Sequence, residues 1–258
     1  MILAILQARV SSTRLPGKVL KPILDKPMML RQIERIKRAT LIDYLIIATS
    51  TDITDNPIER LCKENDLPFF RGSLKDVLDR FYQASMIYHP DHIIRLTGDC
   101  PLADPELIDT IVAFHRKNNF DYTSNTIEQT YPDGLDVEVF RFSCLCDAWK
   151  EAVLPSQREH VTPFIYQHPE RFRIGSFKNT IDLSALRWTV DESLDFELVT
   201  KIYETLYPGK PDFSTKDILG FLEGHQELKT YNTHYIRNAG YQKSLREDAL
   251  VLEKRENN

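Results

Sequence analysis

The chain has 258 residues, of which 42% are hydrophobic, 28% are charged and 10% are aromatic, and this composition excludes a disordered or fibrous protein. Its 33 Lys and Arg are outnumbered by 38 Asp and Glu, so the net charge of -5 provides no overall positive field for a nucleic acid or an anionic membrane. We therefore expect any anionic ligand to be held by a local group of cations.

The N-terminal segment and the cysteines both favour a cytoplasmic protein. The start MILAILQARV has an apolar run that is too short to span a membrane and has no basic residues before it, which is not expected of a signal peptide. Cys62, Cys100, Cys144 and Cys146 show no CxxC spacing, and this argues against structural zinc. We interpret Cys144 and Cys146 as buried apolar side chains.

Strands and helices alternate in the first 120 residues. The predicted strands are residues 2–8, 43–49, 67–70 and 92–97, and the predicted helices are residues 27–38, 56–64, 74–88 and 106–118. Because short apolar strands without alternation are typical of a sheet covered on both faces, this order predicts an α/β fold with a doubly wound, mostly parallel sheet.

The pattern changes after about residue 120. Residues 121–139 and 171–177 are β-rich and surround the turn signal Pro132-Asp133-Gly134, while residues 143–153 and 158–167 are predicted helices. We interpret residues 121–177 as a smaller inserted lobe, and residues 1–120 with 178–237 as the main domain. Further helices are predicted at 193–206 and 217–223. Residues 238–258 are strongly charged and form either a solvated helix or a frayed tail.

A polar loop from Gln7 to Lys18 follows the first predicted strand, where ligands of open α/β sheets bind. The loop lacks both GxxxxGK[ST] and GxGxxG, so cations must take the place of glycines in holding phosphate. Arginine forks and a lysine charge match phosphate oxygens. The alternative is a solvated basic loop that makes surface ion pairs. The candidate side chains are Arg9, Arg14 and Lys18, with the hydroxyl groups of Ser11, Ser12 and Thr13.

Carboxylates occur at two positions suited to a metal. Asp99 follows a predicted strand in the run TGDCP, where a carboxylate faces the crevice, and Asp191 and Asp195 lie in WTVDESLD. Mg²⁺ takes one or two protein carboxylates together with phosphate and water oxygens. The alternative for Asp191 is an acid at a helix N-terminus, with Ser193 as a possible cap.

Several separated motifs resemble one enzyme family. The run LQARVSSTRLPGKVLKPI at residues 6–23 is similar to the N-terminal signature of the cytidylyltransferases that make CMP-activated sugar acids. The closest likeness is to the branch of spore coat polysaccharide biosynthesis proteins. The same branch has patterns that resemble FRGS at 70–73, DVLDRF at 76–81 and RLTGDCPL at 95–102. The resemblance covers residues 1 to about 205.

The resemblance implies a metal-dependent cytidylyltransferase with a Rossmann-like nucleotidyltransferase sheet. Such an enzyme transfers CMP from CTP to a hydroxyl group of a sugar, sugar acid or related acceptor and releases pyrophosphate, with Mg²⁺ as cofactor. Phosphoryl transfer needs positioning and charge neutralisation rather than a nucleophilic serine or cysteine. The resemblance also implies a homodimer that pairs through the inserted lobe.

The implied site has three parts. Asp99 and Asp191 are the metal ligands, and Lys18, Arg9 and Arg14 act with Asp99 in catalysis. Ser73 is implied to bind the nucleotide. The alternative for Ser73 is that it caps the following helix, with Asp76 as the acid of a capping box. The nucleotide-binding residues are Gln7, Ala8, Arg9, Ser11, Ser12, Arg14, Lys18, Arg71, Ser73 and Thr97. The acceptor-binding residues are Asp133, Asp136, Glu138, Arg158, His160 and Arg187.

Several roles at the acceptor end have alternatives. His160 is a candidate to accept a proton or to hydrogen-bond the acceptor, but a lone histidine on a helix is often structural. Arg158 and Arg187 are candidates to bind a carboxylate or phosphate of the acceptor, and surface ion pairing is the alternative for both. Two other functions compete with the whole interpretation: a metal-dependent glycosyltransferase that uses a nucleotide sugar, and a non-catalytic nucleotide-binding protein.

Overall fold

The computed structural model describes residues 1–256, and within that range seven strands form one central sheet in the order β5-β4-β1-β6-β8-β7-β9. The strands are β1 (Ile2–Gln7), β4 (Tyr44–Ser50), β5 (Phe69–Gly72), β6 (His92–Thr97), β7 (Tyr122–Ser124), β8 (Glu138–Arg141) and β9 (Ile174–Ser176), and a separate hairpin consists of β2 (Pro22–Ile23) and β3 (Lys26–Pro27). The sheet is parallel from β5 to β6, and β8 runs antiparallel to its neighbours. The predicted mostly parallel sheet is confirmed.

Helices cover both faces of the sheet. They are α1 (Met28–Ile36), α2 (Asn56–Glu64), α3 (Val77–Tyr88), α4 (Pro105–Lys117), α5 (Phe142–Glu151), α6 (Pro155–His160), α7 (Pro163–Tyr166), α8 (Ser193–Leu206), α9 (Thr215–Glu223), α10 (Gln226–Lys229) and α11 (Ala239–Glu256). Alternate residues of β1 enter two separate cores. Leu6 packs with side chains of α1, α4 and α8, whereas Ile5 packs with side chains of α3 and α5. This two-sided burial is the reason for the unbroken apolar sequence of β1.

The strands of residues 121–177 extend the central sheet. β8 pairs with β6 in the register Ile94 to Val139, and β7 then pairs with both β8 and β9. The region that we interpreted as an inserted lobe therefore shares its hydrogen-bonded sheet with the main domain. The proposed domain boundaries at residues 120 and 178 stay a prediction.

Two helix predictions need correction. A single helix was predicted over residues 158–167, but the structure has α6 and α7, separated at Val161, whose φ is +71°. Pro163 lacks an N–H group, so one continuous helix cannot form there. The second correction concerns α3, for which the sequence predicted a start at residue 74. The helix begins at Val77, because the Asp76 carboxylate accepts the Asp79 N–H at 2.9 Å and caps the helix.

The charged C-terminal segment is a docked helix. The first half of α11 packs against α6, where Asp248 Oδ1 accepts the backbone N–H of Ser156 at 2.8 Å. This bond satisfies an amide group in the first turn of α6 that has no partner within the helix. Residues 257 and 258 of the predicted tail lie outside the described residues. In the part of the chain that the structure describes, every helix is too short or too polar to cross a membrane.

A buried histidine pair makes stability depend on pH. His115 of α4 is fully buried, with Nδ1 2.9 Å from Thr123 Oγ1 and Nε2 3.1 Å from His92 Nδ1. Burial, with smaller effects of His92 and Arg141, lowers the pKa of His115 to about 3, below its ordinary value of 6.5. Folding therefore favours the neutral ring, and its contribution to stability is complete above pH 6.5 and is lost as the pH falls towards 3.

We expect replacement of His115 with Gln to flatten the acid side of the stability curve. The free energy of unfolding of the native protein should exceed that of His115→Gln most at pH 8, and this difference should shrink below pH 6.5 by up to about 1.4 kcal/mol per pH unit. Urea denaturation at pH 8, 6, 5 and 4 measures the difference. A difference that stays constant over this range would contradict the expectation.

Candidate active site

A cavity with a volume of about 850 Å³ opens at the carboxyl ends of β1 and β6. Gln7, the last residue of β1, pairs with Thr97 of β6 and with Ala48 of β4, so the loops after these strands leave the sheet at one edge. Gly98 lies against this edge. A Cβ atom at residue 98 would be 3.0 Å from the Gln7 carbonyl oxygen, and this close approach favours glycine.

Most of the polar loop lines this cleft. The loop is fastened by the Val10 N–H, which donates to Asp55 Oδ1 at 2.7 Å, and by Gly17, whose N–H donates to the Val10 carbonyl at 3.0 Å. Ser11 is exposed on the outside of the loop and does not line the cleft. Seven of the predicted nucleotide-binding residues line the cleft: Gln7, Ala8, Arg9, Ser12, Arg14, Lys18 and Thr97.

Lys18 connects the two predicted metal ligands. Its Nζ atom donates to Asp191 Oδ1 at 2.8 Å, to the Val190 carbonyl at 2.8 Å and to Asp99 Oδ2 at 3.3 Å. Burial alone would lower the pKa of Lys18, but Asp99 and Asp191 outweigh it and raise that pKa. Burial would likewise raise the pKa of Asp99, yet Lys18 and Thr97 lower it to about 2. The ammonium group of Lys18 and the carboxylate of Asp99 are therefore charged near neutral pH.

Asp191 and Asp195 have different surroundings. The Asp191 carboxylate also pairs with Arg14, whose Nη2 lies 2.8 Å from Asp191 Oδ2, and it lines the cleft. The Asp195 carboxylate is fully buried and accepts the backbone N–H groups of Asp191 and Glu192, both at 2.9 Å. Glu192, rather than Ser193, is the cap residue of α8. Asp191 thus faces the cleft, whereas Asp195 is buried and binds the backbone that carries Asp191.

The pair Asp99 and Asp191 suits a hard divalent cation. Both carboxylates already share one cation, the ammonium group of Lys18. Among the described residues, no group of three or more His, Cys, Asp or Glu side chains is placed to hold a metal ion. Two carboxylates, with the remaining ligands from phosphate and water, are a usual set for Mg²⁺ and unlike the closed tetrahedral set of structural zinc. The residues therefore fit Mg²⁺.

The side chains predicted for the cytosine pocket do not line the cleft. Arg71 Nε donates to the Ser50 carbonyl at 2.7 Å, and its guanidinium pairs with Glu59. Ser73 Oγ accepts the N–H of Asp76 at 3.0 Å, but Asp76 is the cap residue of α3, so Ser73 lies before the helix and does not cap it as the alternative supposed. The Arg71 side chain thus joins β5 to β4 and α2, and the Ser73 side chain is bonded within the loop that precedes α3.

Two arginines that the sequence analysis did not assign line the cleft instead. Arg80 of α3 is buried, its Nη1 donates to the Ser73 carbonyl at 3.1 Å, and its Nε has no hydrogen-bond partner among the described residues. Arg95 of β6 donates from Nε to Gln7 Oε1 at 3.2 Å. The sequence feature that could have identified Arg95 as a site residue is its position inside the apolar strand HIIRLT. A charged group in such a strand needs a partner or a ligand, because burying an unpaired charge is costly.

Three acids predicted to bind the acceptor line the cleft, and each carboxylate has a cationic partner. Glu138 pairs with Arg95 and accepts the Tyr122 hydroxyl at 2.7 Å and the Thr162 hydroxyl. The other two acids pair with arginines: Asp133 Oδ2 lies 2.8 Å from Arg187 Nη1, and Asp136 Oδ1 lies 2.9 Å from Arg237 Nη2.

Asp136 is the predicted acceptor residue whose pKa lies close to neutral pH. Burial raises this pKa to about 7, although Arg237 opposes the shift. The carboxyl group is therefore poised to take up or release a proton near pH 7.

Arg158 and Arg187 are placed outside the cleft. Arg158 Nε donates to Asp76 Oδ2 at 3.0 Å and its Nη1 donates to the Trp149 carbonyl at 2.8 Å, so it joins α6 to α3. Arg187 is buried, and its guanidinium binds Asp195. The structure thus replaces the predicted acceptor contacts of both arginines with internal ion pairs.

His160 lines the cleft and fastens the C-terminal helix. Its Nε2 lies 3.0 Å from Ser244 Oγ, and its ring meets the Tyr241 ring edge-on at a centroid distance of 5.1 Å. Burial, with a contribution from Arg95, lowers the pKa of His160 to about 4. The imidazole is therefore neutral at pH 7 and serves as a hydrogen-bonding group there.

The C-terminal segment is the largest part of the site that sequence reasoning missed. Residues 238–241 and Lys243 line the cleft together with the first loop, and Ser244 Oγ also donates to Glu159 Oε2 at 2.7 Å. The charged composition alone is typical of a solvated helix. The available signal was the spacing of Ser244 and Asp248, which places two short polar side chains on one helical face.

Comparison with known proteins agrees with this geometry. A family model described as cytidylyltransferase matches residues 3–244, which includes the C-terminal segment to Ser244 and extends past the 205 residues covered by the resemblance. A spore coat polysaccharide biosynthesis protein of Bacillus subtilis is 35% identical over 236 residues, with 89% of this chain and 97% of that protein covered. An uncharacterised protein of Methanocaldococcus jannaschii is 40% identical over 242 residues, with 93% and 97% covered.

Solved structures give the same result. A cytidylyltransferase from Leptospira borgpetersenii has a TM-score of 0.85 at 30% identity, covering 91% of this chain and 99% of that chain. A CMP:2-keto-3-deoxy-manno-octonic acid synthetase, solved in complex with CTP, shares the fold with a TM-score of 0.61 at 17% identity, covering 79% and 98%. The resemblance stated from the sequence motifs is confirmed, and the chain belongs to the cytidylyltransferase family.

Proposed function

We propose that the protein transfers CMP from CTP to a hydroxyl group of an acceptor and releases pyrophosphate, with Mg²⁺ as cofactor. One observation carries the proposal: the first loop of a cytidylyltransferase fold places Lys18 between Asp99 and Asp191, at the carboxyl ends of β1 and β6. This arrangement supplies both the cation for a triphosphate and the carboxylates for its metal.

The first loop acts on the triphosphate by position and charge. An acceptor oxygen attacks the α-phosphorus, the bond from that phosphorus to the bridging oxygen breaks, and pyrophosphate leaves with increased negative charge. Arg9, Arg14 and Lys18 stabilise this charge in a partly dehydrated cleft, where electrostatic contacts are stronger than in water. Lys18 and Arg14 now bind Asp191, and they can pass to phosphate oxygens when CTP enters. Mg²⁺ bound by Asp99 and Asp191 supplies further charge neutralisation at the phosphates.

The nucleotide also requires contacts beyond the triphosphate. Arg80 lines the cleft and is buried with an unpartnered Nε, so we include its guanidinium in the nucleotide site in place of the side chains of Arg71 and Ser73. The choice of CTP over other triphosphates follows from membership of the family.

We place the acceptor in the same cleft, beside Asp136 and Glu138. Asp136, with a pKa near neutral pH, is suited to take the proton of the attacking hydroxyl group. Glu138 and its partner Arg95 offer both an acceptor and a donor to hydroxyl groups. We propose a sugar, a sugar acid or a related compound as acceptor, and a role in surface polysaccharide or glycoconjugate synthesis, supported by the spore coat relative. A cytoplasmic homodimer belongs to the same proposal, and light scattering at the monomer mass of 30.0 kDa would contradict the dimer.

Tyr241 tests the contribution of the C-terminal segment to acceptor binding. We expect Tyr241→Ala to raise the KM for the acceptor about tenfold, equivalent to about 1.4 kcal/mol of lost contact, and to leave the Kd for CTP unchanged. Gln242→Ala is the matched control because Gln242 is the exposed neighbour on the same helix. Equal acceptor KM values for the two variants would remove Tyr241 from the acceptor site.

Product analysis tests the proposed reaction. The protein is incubated with Mg²⁺, CTP labelled at the α-phosphorus and a panel of sugar acids, sugar phosphates and neutral sugars, while pyrophosphate release is followed. The proposal expects a labelled CMP conjugate formed in equal amount to pyrophosphate for at least one acceptor. Stabilisation by a nucleoside diphosphate sugar, without any response to CTP, would instead support a glycosyltransferase.

A further inference from the structure

Arg187 is a buried ion-pair centre directly behind the cleft. Its Nε and Nη2 atoms bind the two oxygens of Asp195 at 2.9 and 2.8 Å, and its Nη1 binds Asp133 at 2.8 Å. Asp195 is 0% exposed and Arg187 is 5% exposed. The two parallel bonds of an arginine to one carboxylate fix both groups in one plane and are stronger than a single contact.

The same carboxylate fixes the backbone at Asp191. Asp195 Oδ2 accepts the N–H groups of Asp191 and Glu192 while it binds the guanidinium of Arg187. Asn232 closes the arrangement from the opposite side, because its Nδ2 donates to Asp195 Oδ1 at 2.7 Å and to the Arg187 carbonyl at 3.0 Å. Residues 187–195 are thus joined across their ends by one buried carboxylate.

The segment between these ends has little room to move. Gly134, with φ of +108°, lies against it so closely that a Cβ atom would be 2.3 Å from the Thr189 backbone nitrogen. The Val190 N–H donates to the Asp99 carbonyl at 2.7 Å. The backbone that carries Asp191 is therefore tied to the backbone that carries Asp99.

Asp191 faces three cations that differ in their freedom to leave. Lys18 and Arg14 belong to the first loop and are the proposed partners of the triphosphate, whereas Arg187 Nη2, 3.6 Å from Asp191 Oδ2, is held by Asp195. When CTP takes the first two cations, Arg187 stays in place. Asp195 and Asp133 bind the other nitrogens of this guanidinium, so its contact with Asp191 is the weakest of the three.

We propose that Arg187 is a positioning residue for the metal: anchored by Asp195, it holds the Asp191 carboxylate in the orientation that a hard divalent cation needs beside bound CTP. This inference rests on the proposed function. It replaces the acceptor contact predicted for Arg187 from the sequence. Groups behind metal ligands typically change metal affinity by about 10- to 100-fold when they are altered.

Mn²⁺ binding, read by electron paramagnetic resonance of the free ion, tests the inference without any acceptor. The Kd for Mn²⁺ is measured on the full chain with saturating CTP, and the Kd for CTP is measured separately in EDTA. We expect Arg187→Lys, which keeps the charge but loses the fork, to weaken Mn²⁺ binding about tenfold and to leave CTP binding in EDTA unchanged. Asn232→Ala, which keeps the Arg187–Asp195 pair, should weaken Mn²⁺ binding by a smaller factor and covers the case in which Arg187→Lys does not fold.

Arg35→Lys is the matched control. Arg35 is also buried and donates to the carbonyl groups of Ala103 and Phe213, at 2.8 and 3.0 Å, but it does not contact Asp191. The Arg35→Lys variant should have a lower melting temperature than the native protein and the same affinity for Mn²⁺. The inference is overturned if Arg35→Lys weakens Mn²⁺ binding as much as Arg187→Lys or Asn232→Ala, if neither of these two variants weakens it, or if the native protein with CTP binds no Mn²⁺. Failure of the native protein to bind CTP would overturn the proposed function and this inference together.

Discussion

Replacing Lys18 with Met is expected to reduce the rate of pyrophosphate release by about a hundredfold or more, the effect typical of removing one preorganised donor from a charged transition state. Lys18 is buried between Asp99 and Asp191, so methionine fills its space but supplies no charge to the triphosphate. Steady-state pyrophosphate release at saturating CTP and acceptor measures the effect.

Lys21→Met is the matched control for this variant. Lys21 lies three residues further along the chain. Its Nζ atom lies over the Phe196 ring, 5.2 Å from the ring centroid. It should retain most of the native rate. A Lys18→Met rate within a few-fold of the Lys21→Met rate would remove Lys18 from the triphosphate site.

Lys18→Met is also expected to change the binding of metal ions in the absence of nucleotide. In the native protein, Lys18 competes with a metal ion for the two carboxylates, and Met removes this competitor. Millimolar Mg²⁺ alone should therefore raise the melting temperature of Lys18→Met more than that of the native protein. An equal rise in both would show that the metal does not bind where the ammonium group lies.

Replacing Asp99 or Asp191 with Asn is expected to remove the Mg²⁺-dependent part of CTP binding, a weakening of more than about tenfold. The amide keeps the shape of the carboxylate but loses the charge that a hard cation requires. Calorimetric titration of CTP with and without Mg²⁺ gives the difference directly. Binding by either variant that still gains from Mg²⁺ as the native protein does would exclude that residue as a ligand.

Asp182→Asn serves as the control for the carboxylate variants. Asp182 is exposed and accepts the N–H of Ser184 at 2.9 Å, outside the cleft. Its CTP titration should match that of the native protein with and without Mg²⁺, which separates the effect of a ligand from that of a changed net charge.

The meeting of the first-loop cations with Asp99 in one cleft was predictable because it depends on strand order. Arg9, Arg14, Lys18 and Asp99 follow apolar strands that the sequence marks clearly, and parallel strands bring their carboxyl ends to one edge. Asp191 was assigned through the family motif, and the structure places it against Lys18. For these residues, the position in the chain relative to the predicted strands was sufficient to predict that they lie close together.

Side-chain direction was not predictable in the same way. Arg71 and Ser73 lie at the end of a strand as expected, but β5 turns them towards Glu59 and Asp76. Arg158 lies beside His160 in sequence, yet it binds Asp76 on the other side of α6. A shift of one or two residues in a helix or strand changes which face a side chain occupies, and the sequence motifs do not fix that detail.

The C-terminal contribution depended on tertiary contacts. α11 docks through Ser244 and Asp248, which bind groups of α6 more than 80 residues earlier. Its exposed Leu250 and Leu252 give no continuous apolar stripe to mark the docked face. A helix held mainly by polar bonds looks like a solvated helix in sequence, and only the fold shows which polar groups it meets.

Binding of the four ribonucleoside triphosphates to the native protein, with and without Mg²⁺, tests the central claim most directly. Thermal shift gives a comparison of all eight conditions. We expect CTP to raise the melting temperature clearly more than ATP, GTP or UTP, and Mg²⁺ to increase the effect of CTP. Equal effects of all four triphosphates, or no response to CTP in either condition, would contradict the assignment of this cleft to CTP.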